Sequence, residues 1–286
     1  MKKIIYFTEF ILIKFLFIIF KIIGFKFASN LGFYIGKNFG NLFRKKKSII
    51  ENLHKSKISI KVAENEFTDN VLGNYGRILA EYPFLKDFRK GKLDQYIKID
   101  GIENLNQIKN NRKPVVFISG HFNNFELMAM QIEKNGINLA AIYRPLNNNF
   151  LNKTMERIRT KYICRNQIRK GRSGTRQLLE NLKKGNSIAL MIDQRVTEGI
   201  KINFFGNLAS TTTIPAQIIK KYGCDLVPIY IERLEKYNFK MYVSQPILIN
   251  SEKSLEEISE YLNNILEKMI LKNPDQWIWT HNRWKK

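Results

Sequence analysis

From residue 114 to residue 271 the chain alternates between short β-branched runs and longer stretches with helical periodicity, and this alternation restricts the fold more than any other feature. Strands are predicted at "PVVFIS" (114–119), "LAAIYR" (139–144), "SIALMID" (187–193), "LVPIYIERL" (226–234) and "FKMYVSQPI" (239–247). Helices are predicted over 123–134, 148–163, 173–184, 212–222 and 253–271, and residues 48–95 read as helical, with Val71, Tyr75, Ile78 and Leu79 at helix spacing. The implied class is α/β: a central, mostly parallel sheet flanked by helices, with one antiparallel hairpin near residues 232–240. A hydrophobic content of 44% supplies the core for it. In such sheets ligands bind beyond the carboxyl ends of the strands, where His121 and Asp193 fall.

"FISGHFNNFELMAM" (117–130) passes from a strand through Ser-Gly-His into a helix carrying Glu126. Residues five apart on a regular helix point about 140° apart, so His121 belongs in the bend, from which its imidazole can fold back toward Glu126 in the first turn. A carboxylate there would fix the tautomer and stabilise the imidazolium, making a His-carboxylate dyad. Glu126 has a competing structural role, because Asn123 three residues before it is at capping-box spacing. Ser119 is not in a G-x-S-x-G elbow, so direct transfer fits better than a covalent serine mechanism: the base deprotonates a hydroxyl that attacks an activated acyl group. Backbone N–H groups at the start of the 123–134 helix are the expected donors to the oxyanion.

The segment from Ile4 to Ile23 is about long enough to cross a bilayer at about 1.5 Å per residue, but contains Glu9, Lys14 and Lys21. As a helix it is apolar nearly all round, with Lys3, Lys14 and Lys21 in one narrow cationic stripe, as expected of a helix at or tilted through the headgroup region. The charges that interrupt the apolar run, and the lack of a small-x-small cleavage site, argue against a signal peptide. The expected organisation is a membrane anchor over 1–30 followed by one α/β domain over 31–286, with the basic "FRKKK" (43–47) set against an anionic leaflet.

A formal net charge of +23 implies anionic partners, although part of the excess reads as a solvated lysine face. Cys164 and Cys224 form no CxxC pair, and His54, His121 and His281 are dispersed, so neither a disulfide framework nor a metal centre is expected. The charge and the 12% aromatic content also permit a membrane-associated nucleic-acid-binding protein, but no RNP-like, zinc-finger or clear helix-turn-helix pattern supports one.

Several blocks, in order, resemble the bacterial lipid A secondary acyltransferases, the lauroyl and myristoyl transferases distantly related to the glycerolipid acyltransferases. They are "NYGR" (74–77), "IDGIENL" (99–105), "SGHFNNFE" (119–126), "YRPLNN" (143–148) with Arg159 beyond it, "LKKG" (182–185), "DQ" (193–194), "FFGNLASTTTIPAQI" (204–218), "LVPIYIER" (226–233) and "PDQWIWTHNRW" (274–284). The resemblance implies a glycerolipid-acyltransferase-like fold at the cytoplasmic face of the inner membrane. It implies transfer of a fatty acyl chain from acyl carrier protein to a hydroxyl of a lipid A precursor, with no cofactor beyond the carrier thioester. It also implies His121 as general base, Glu126 as its partner, and Arg144, Arg159, Asp193 and Gln194 as substrate-binding residues. A related enzyme acting on a phospholipid or another glycolipid would keep the same dyad and anchor. The chain departs from the family pattern at "NNNF" (147–150), at Asn152 and in the closing "THNRW", where His281 reads as structural.

Overall fold

The computed structural model describes residues 2–285. Five helices lead: α1 (Lys2–Ile23), α2 (Phe25–Phe39), α3 (Lys46–Ser56), α4 (Glu64–Glu81) and the single turn α5 (Leu85–Arg89). The chain continues through β1 (Ile97–Asp100), α6 (Ile102–Asn111), β2 (Val116–Ser119), α7 (Glu126–Lys134), β3 (Leu139–Tyr143), α8 (Asn149–Ile158), β4 (Asn166–Arg169) and α9 (Arg172–Lys183). It ends with β5 (Ser187–Met191), β6 (Ile200–Phe204), β7 (Asn207–Thr211), α10 (Ile214–Tyr222), β8 (Leu226–Arg233), β9 (Phe239–Val243) and α11 (Leu255–Lys272).

Seven strands form one sheet in the order β1-β9-β8-β2-β5-β3-β4, parallel throughout except where β8 meets β9. The most apolar runs take the centre: every residue of β2 and β8 is buried, as expected of strands covered on both faces. The sequence pattern missed β1 and β4, which are the two edges and are short and half polar, so neither carries an apolar run. It also missed the β6–β7 hairpin, which turns on Phe205 and Gly206, both at positive φ as a tight two-residue turn requires. The helix expected from 123 begins at Glu126, and the one expected to reach 163 ends at Ile158 in a five-residue π turn, 159–163. α11 opens with a complete capping box between Ser254 and Glu257.

At the N-terminus, Gly24 (φ 81°) breaks the helical run, so α1 and α2 are separate elements. Small residues let α2 lie almost in van der Waals contact with α4: a Cβ at Gly76 would sit 1.9 Å from the Gly32 carbonyl oxygen, and one at Gly36 would sit 2.2 Å from that of Leu72. The boundary drawn at residue 30 therefore falls inside a helix packed into the rest of the fold. No helix among the described residues is long and apolar enough to cross a membrane. Two of the charges that interrupt α1 have partners in the protein, Glu9 accepting from Asn148 and Lys21 pairing with Asp87. An apolar stripe of α1 stays uncovered, with Ile4, Ile11, Phe15, Ile18 and Ile22 all more than half exposed.

Candidate active site

β2 delivers the chain to the site. Gly120 follows it where a side chain would meet Leu266 and Phe122 at 2.9 Å, and Asn123 then adopts φ 43°, turning the backbone into α7. This strained turn is held from several directions. The Asn123 N–H donates to the Gln276 carbonyl (3.0 Å), and the Asn124 side chain donates to Glu81 Oε2 (3.0 Å). Glu81, fully buried, is itself paired with Arg233 at 2.8 Å, accepts from Ser29 of α2 at 2.7 Å, and lies beside Arg77, whose pKa burial and the neighbouring Arg233 lower to about 10. Asn123 is thus committed to Gln276 and Arg233, and the capping box with Glu126 does not form.

The carboxylate that meets His121 is Asp193, not Glu126. Asp193 Oδ1 accepts from Nδ1 of His121 at 2.8 Å, while Oδ2 accepts from the His121 backbone N–H at 2.7 Å and from Trp277 Nε1 at 3.0 Å. Sheet register explains the pairing: Ser119 on β2 lies opposite Met191 on β5, so the residues two further along, His121 and Asp193, emerge side by side on the same face. Both positions were visible at strand ends in the sequence; only the adjacency of β2 and β5 makes them partners. Burial alone would lower the histidine's pKa, but the charge and hydrogen bond of Asp193, with added attraction from Glu126, raise it above the ordinary value. Burial likewise opposes ionisation of Asp193, yet its contacts with His121 hold it below the usual carboxylate range. With Nδ1–H donated to Asp193, Nε2 is left as the basic nitrogen.

Glu126 is occupied elsewhere. Its Oε1 accepts from Arg159 Nε at 2.8 Å and lies 2.7 Å from the Arg159 NH2 nitrogen, and the buried Tyr82 hydroxyl donates to the same oxygen. Arg159 stands at the π turn after α8, where the local bulge carries its guanidinium toward α7. Burial disfavours the arginine's charge, but Glu126 more than compensates and raises its pKa, so Arg159 is not a free cation for an anionic acceptor group. The Tyr82 phenol is held well above its usual range, first by burial and then by Glu126. No short-range sequence signal could have shown Tyr82 or Glu81, which lie more than forty residues from the groups they touch.

His121 and Glu126 both open onto a cavity of about 520 Å³. Its walls are apolar toward the sheet, and its mouth carries Arg44, Arg144 and Lys170, all exposed and without a carboxylate partner among the described residues. Arg144 and Gln194 both line the cavity, but Asp193 is wholly buried behind His121 and cannot meet a substrate directly. Arg44, from the basic run 43–47, faces this cavity instead of standing clear of the domain. His281 lines the cavity too; its Nε2 accepts from the Arg195 N–H at 2.9 Å, and burial lowers its pKa. No group of His, Cys, Asp and Glu among the described residues could hold a metal ion.

Compared with known proteins, the chain is 24% identical over 217 residues to a lipid A biosynthesis palmitoleoyltransferase of Escherichia coli, covering 73% of this chain and 68% of that one. It is 23% identical over 202 residues to the lipid A biosynthesis lauroyltransferase of the same organism, covering 68% and 63% respectively. A looser overall likeness, at 15% identity and a TM-score of 0.43 over 88% of this chain and 98% of the other, is to a crystal structure of the 1-acyl-sn-glycerophosphate acyltransferase from Thermotoga maritima. The bacterial lipid A biosynthesis acyltransferase family matches residues 1–286, and the chain, an acyltransferase, belongs to that family.

Proposed function

We propose that this acyltransferase moves a fatty acyl chain from an acyl carrier protein thioester to a hydroxyl of a lipid A precursor, at the cytoplasmic face of the inner membrane. The observation that carries the mechanism is a histidine with one ring nitrogen fixed by a buried carboxylate and the other free to face a cavity that is apolar inside and cationic at its mouth. Nε2 of His121 takes the proton as the acceptor oxygen attacks the thioester carbonyl; the C–S bond then breaks and the imidazolium returns the proton to the leaving thiolate. Asp193 keeps the productive tautomer and stabilises the transient imidazolium, while Glu126, clamped by Arg159 and Tyr82, shapes the wall and adds negative potential beside His121.

The phosphate groups of the acceptor and of the carrier's prosthetic arm suit Arg44, Arg144 and Lys170 at the mouth, which have no carboxylate partner among the described residues. Acyl carrier protein, being acidic, suits the +23 surface. The reaction as written consumes no cofactor beyond the carrier thioester. Membrane attachment rests on the exposed apolar stripe of α1, together with the exposed Lys45 and Lys47, which suit anionic lipid. Mass spectrometry of lipid A from cells with and without the gene tests the reading: loss of one acyl chain is the expected result, and unchanged lipid A with altered phospholipid refutes it.

A further inference from the structure

The central sheet separates between β3 and β5. Their pairing ends at Ala141 opposite Ala189; beyond that row β5 stays bonded to β2 as far as Ile192, and β3 stays bonded to β4 as far as Lys170, so the two pairs diverge. The cavity below His121 enters this crevice. Consecutive residues of both strands line it, Ile142 and Leu190 as well as Ala141 and Ala189. With the pairing of β3 and β5 ended at Ala141 and Ala189, a space lined by consecutive residues of both strands is placed to enter between them.

The lining row farthest back along the strands is in register across four of them, Phe117, Ala189, Ala141 and Gln167. Two adjacent alanines in that row leave a trough. Ala189 lies on a strand paired on both sides, and its neighbour Ile188 is fully buried, yet Ala189 keeps exposed surface because nothing fills the space above its methyl group. Phe117 is four positions before His121, and β2 ends at Ser119, so this end lies at most about 13 Å below the base, within reach of a medium-length saturated chain.

We infer that Ala141 and Ala189 set the length of the acyl chain the enzyme accepts, by fixing how deep the crevice between β3 and β5 runs; this rests on the acyl-transfer reading above. Leucine at either position fills roughly two to three methylenes of depth, and each methylene left unburied costs about fourfold in binding. The test measures kcat/KM for hexanoyl, octanoyl and decanoyl carrier thioesters with the full-length protein, its Ala189→Leu and Ala141→Leu variants, and the smaller Ala189→Val and Ala141→Val. The ratio of decanoyl to hexanoyl turnover should fall at least about tenfold in the leucine variants and less in the valine variants. An unchanged ratio, or an equal loss at every length in a folded variant, overturns the inference. Displacement of a fluorescent fatty acid by saturated acids of the same lengths gives a second readout that needs no turnover. If the unsubstituted protein binds fatty acids but transfers none, the proposed function fails and the length dependence of binding decides the inference; if it binds none, the inference falls.

Discussion

Asp193→Asn is the most informative single change, because it keeps the shape of a fully buried side chain and alters only charge and hydrogen-bonding direction. The carboxylate accepts three N–H groups, two at Oδ2 and one at Oδ1. An amide has one acceptor oxygen, which is best turned toward the backbone N–H of His121 and the Trp277 indole; its NH2 then faces Nδ1 of His121. The imidazole must adopt the opposite tautomer, with the proton on Nε2, and the base is lost. The expected fall in kcat is about 10³- to 10⁴-fold, or about 4–5.5 kcal/mol of transition-state stabilisation. The assay is single-turnover transfer from a radiolabelled acyl thioester across a pH series. In the unsubstituted enzyme the acid limb should lie above the ordinary histidine pKa, because Asp193 raises that of His121 and protonation removes the base; in the variant any remaining limb should move down. Stability should follow the same linkage. The contribution from His121 is complete below its unfolded pKa and disappears as pH rises through the raised folded value, whereas that of Asp193 disappears as pH falls through its depressed one. Retention of activity within a few-fold by Asp193→Asn, with a collapse in Glu126→Gln, would show that Glu126 is the working partner and refute this reasoning.

Glu126→Ala leaves the Arg159 guanidinium buried without its anion and should cost about 3–5 kcal/mol, much of it recovered in the Glu126→Ala, Arg159→Met double variant; a denaturation double-mutant cycle showing additivity would contradict the pairing. Arg144→Ala and Arg44→Ala should each raise KM for a phosphorylated acceptor about tenfold with little change in kcat, and an equal KM for a dephosphorylated acceptor in the unsubstituted enzyme would remove their proposed role. Gly76→Ala should lower the melting temperature sharply by forcing α2 away from α4, so a melting temperature within a degree or two of the original would count against the close contact. Phe15→Asp with Ile18→Asp should abolish flotation with anionic vesicles while leaving the melting temperature nearly unchanged; undiminished flotation would remove α1 from the membrane face.

Local patterning by itself determined the class of fold, because period-2 and period-3.6 apolar spacing are properties of neighbouring residues: the central strands, the β8–β9 hairpin and α11 all lie close to where periodicity puts them. It determined that His121 stands in the bend after β2. Three matters were decided only by the tertiary structure. Edge strands β1 and β4 have no apolar run, and their β character comes from the strand beside them. The partner of His121 depends on which strand lies next to β2, and the register of β5 puts Asp193 there from 72 residues away. Glu126, five residues from His121 and well placed on paper, turns instead to Arg159, since a buried carboxylate is governed by the strongest cation within reach and the π turn after α8 brings that cation to it. Spacing along a chain can propose a pair of side chains; packing in three dimensions selects which of the available charges they meet.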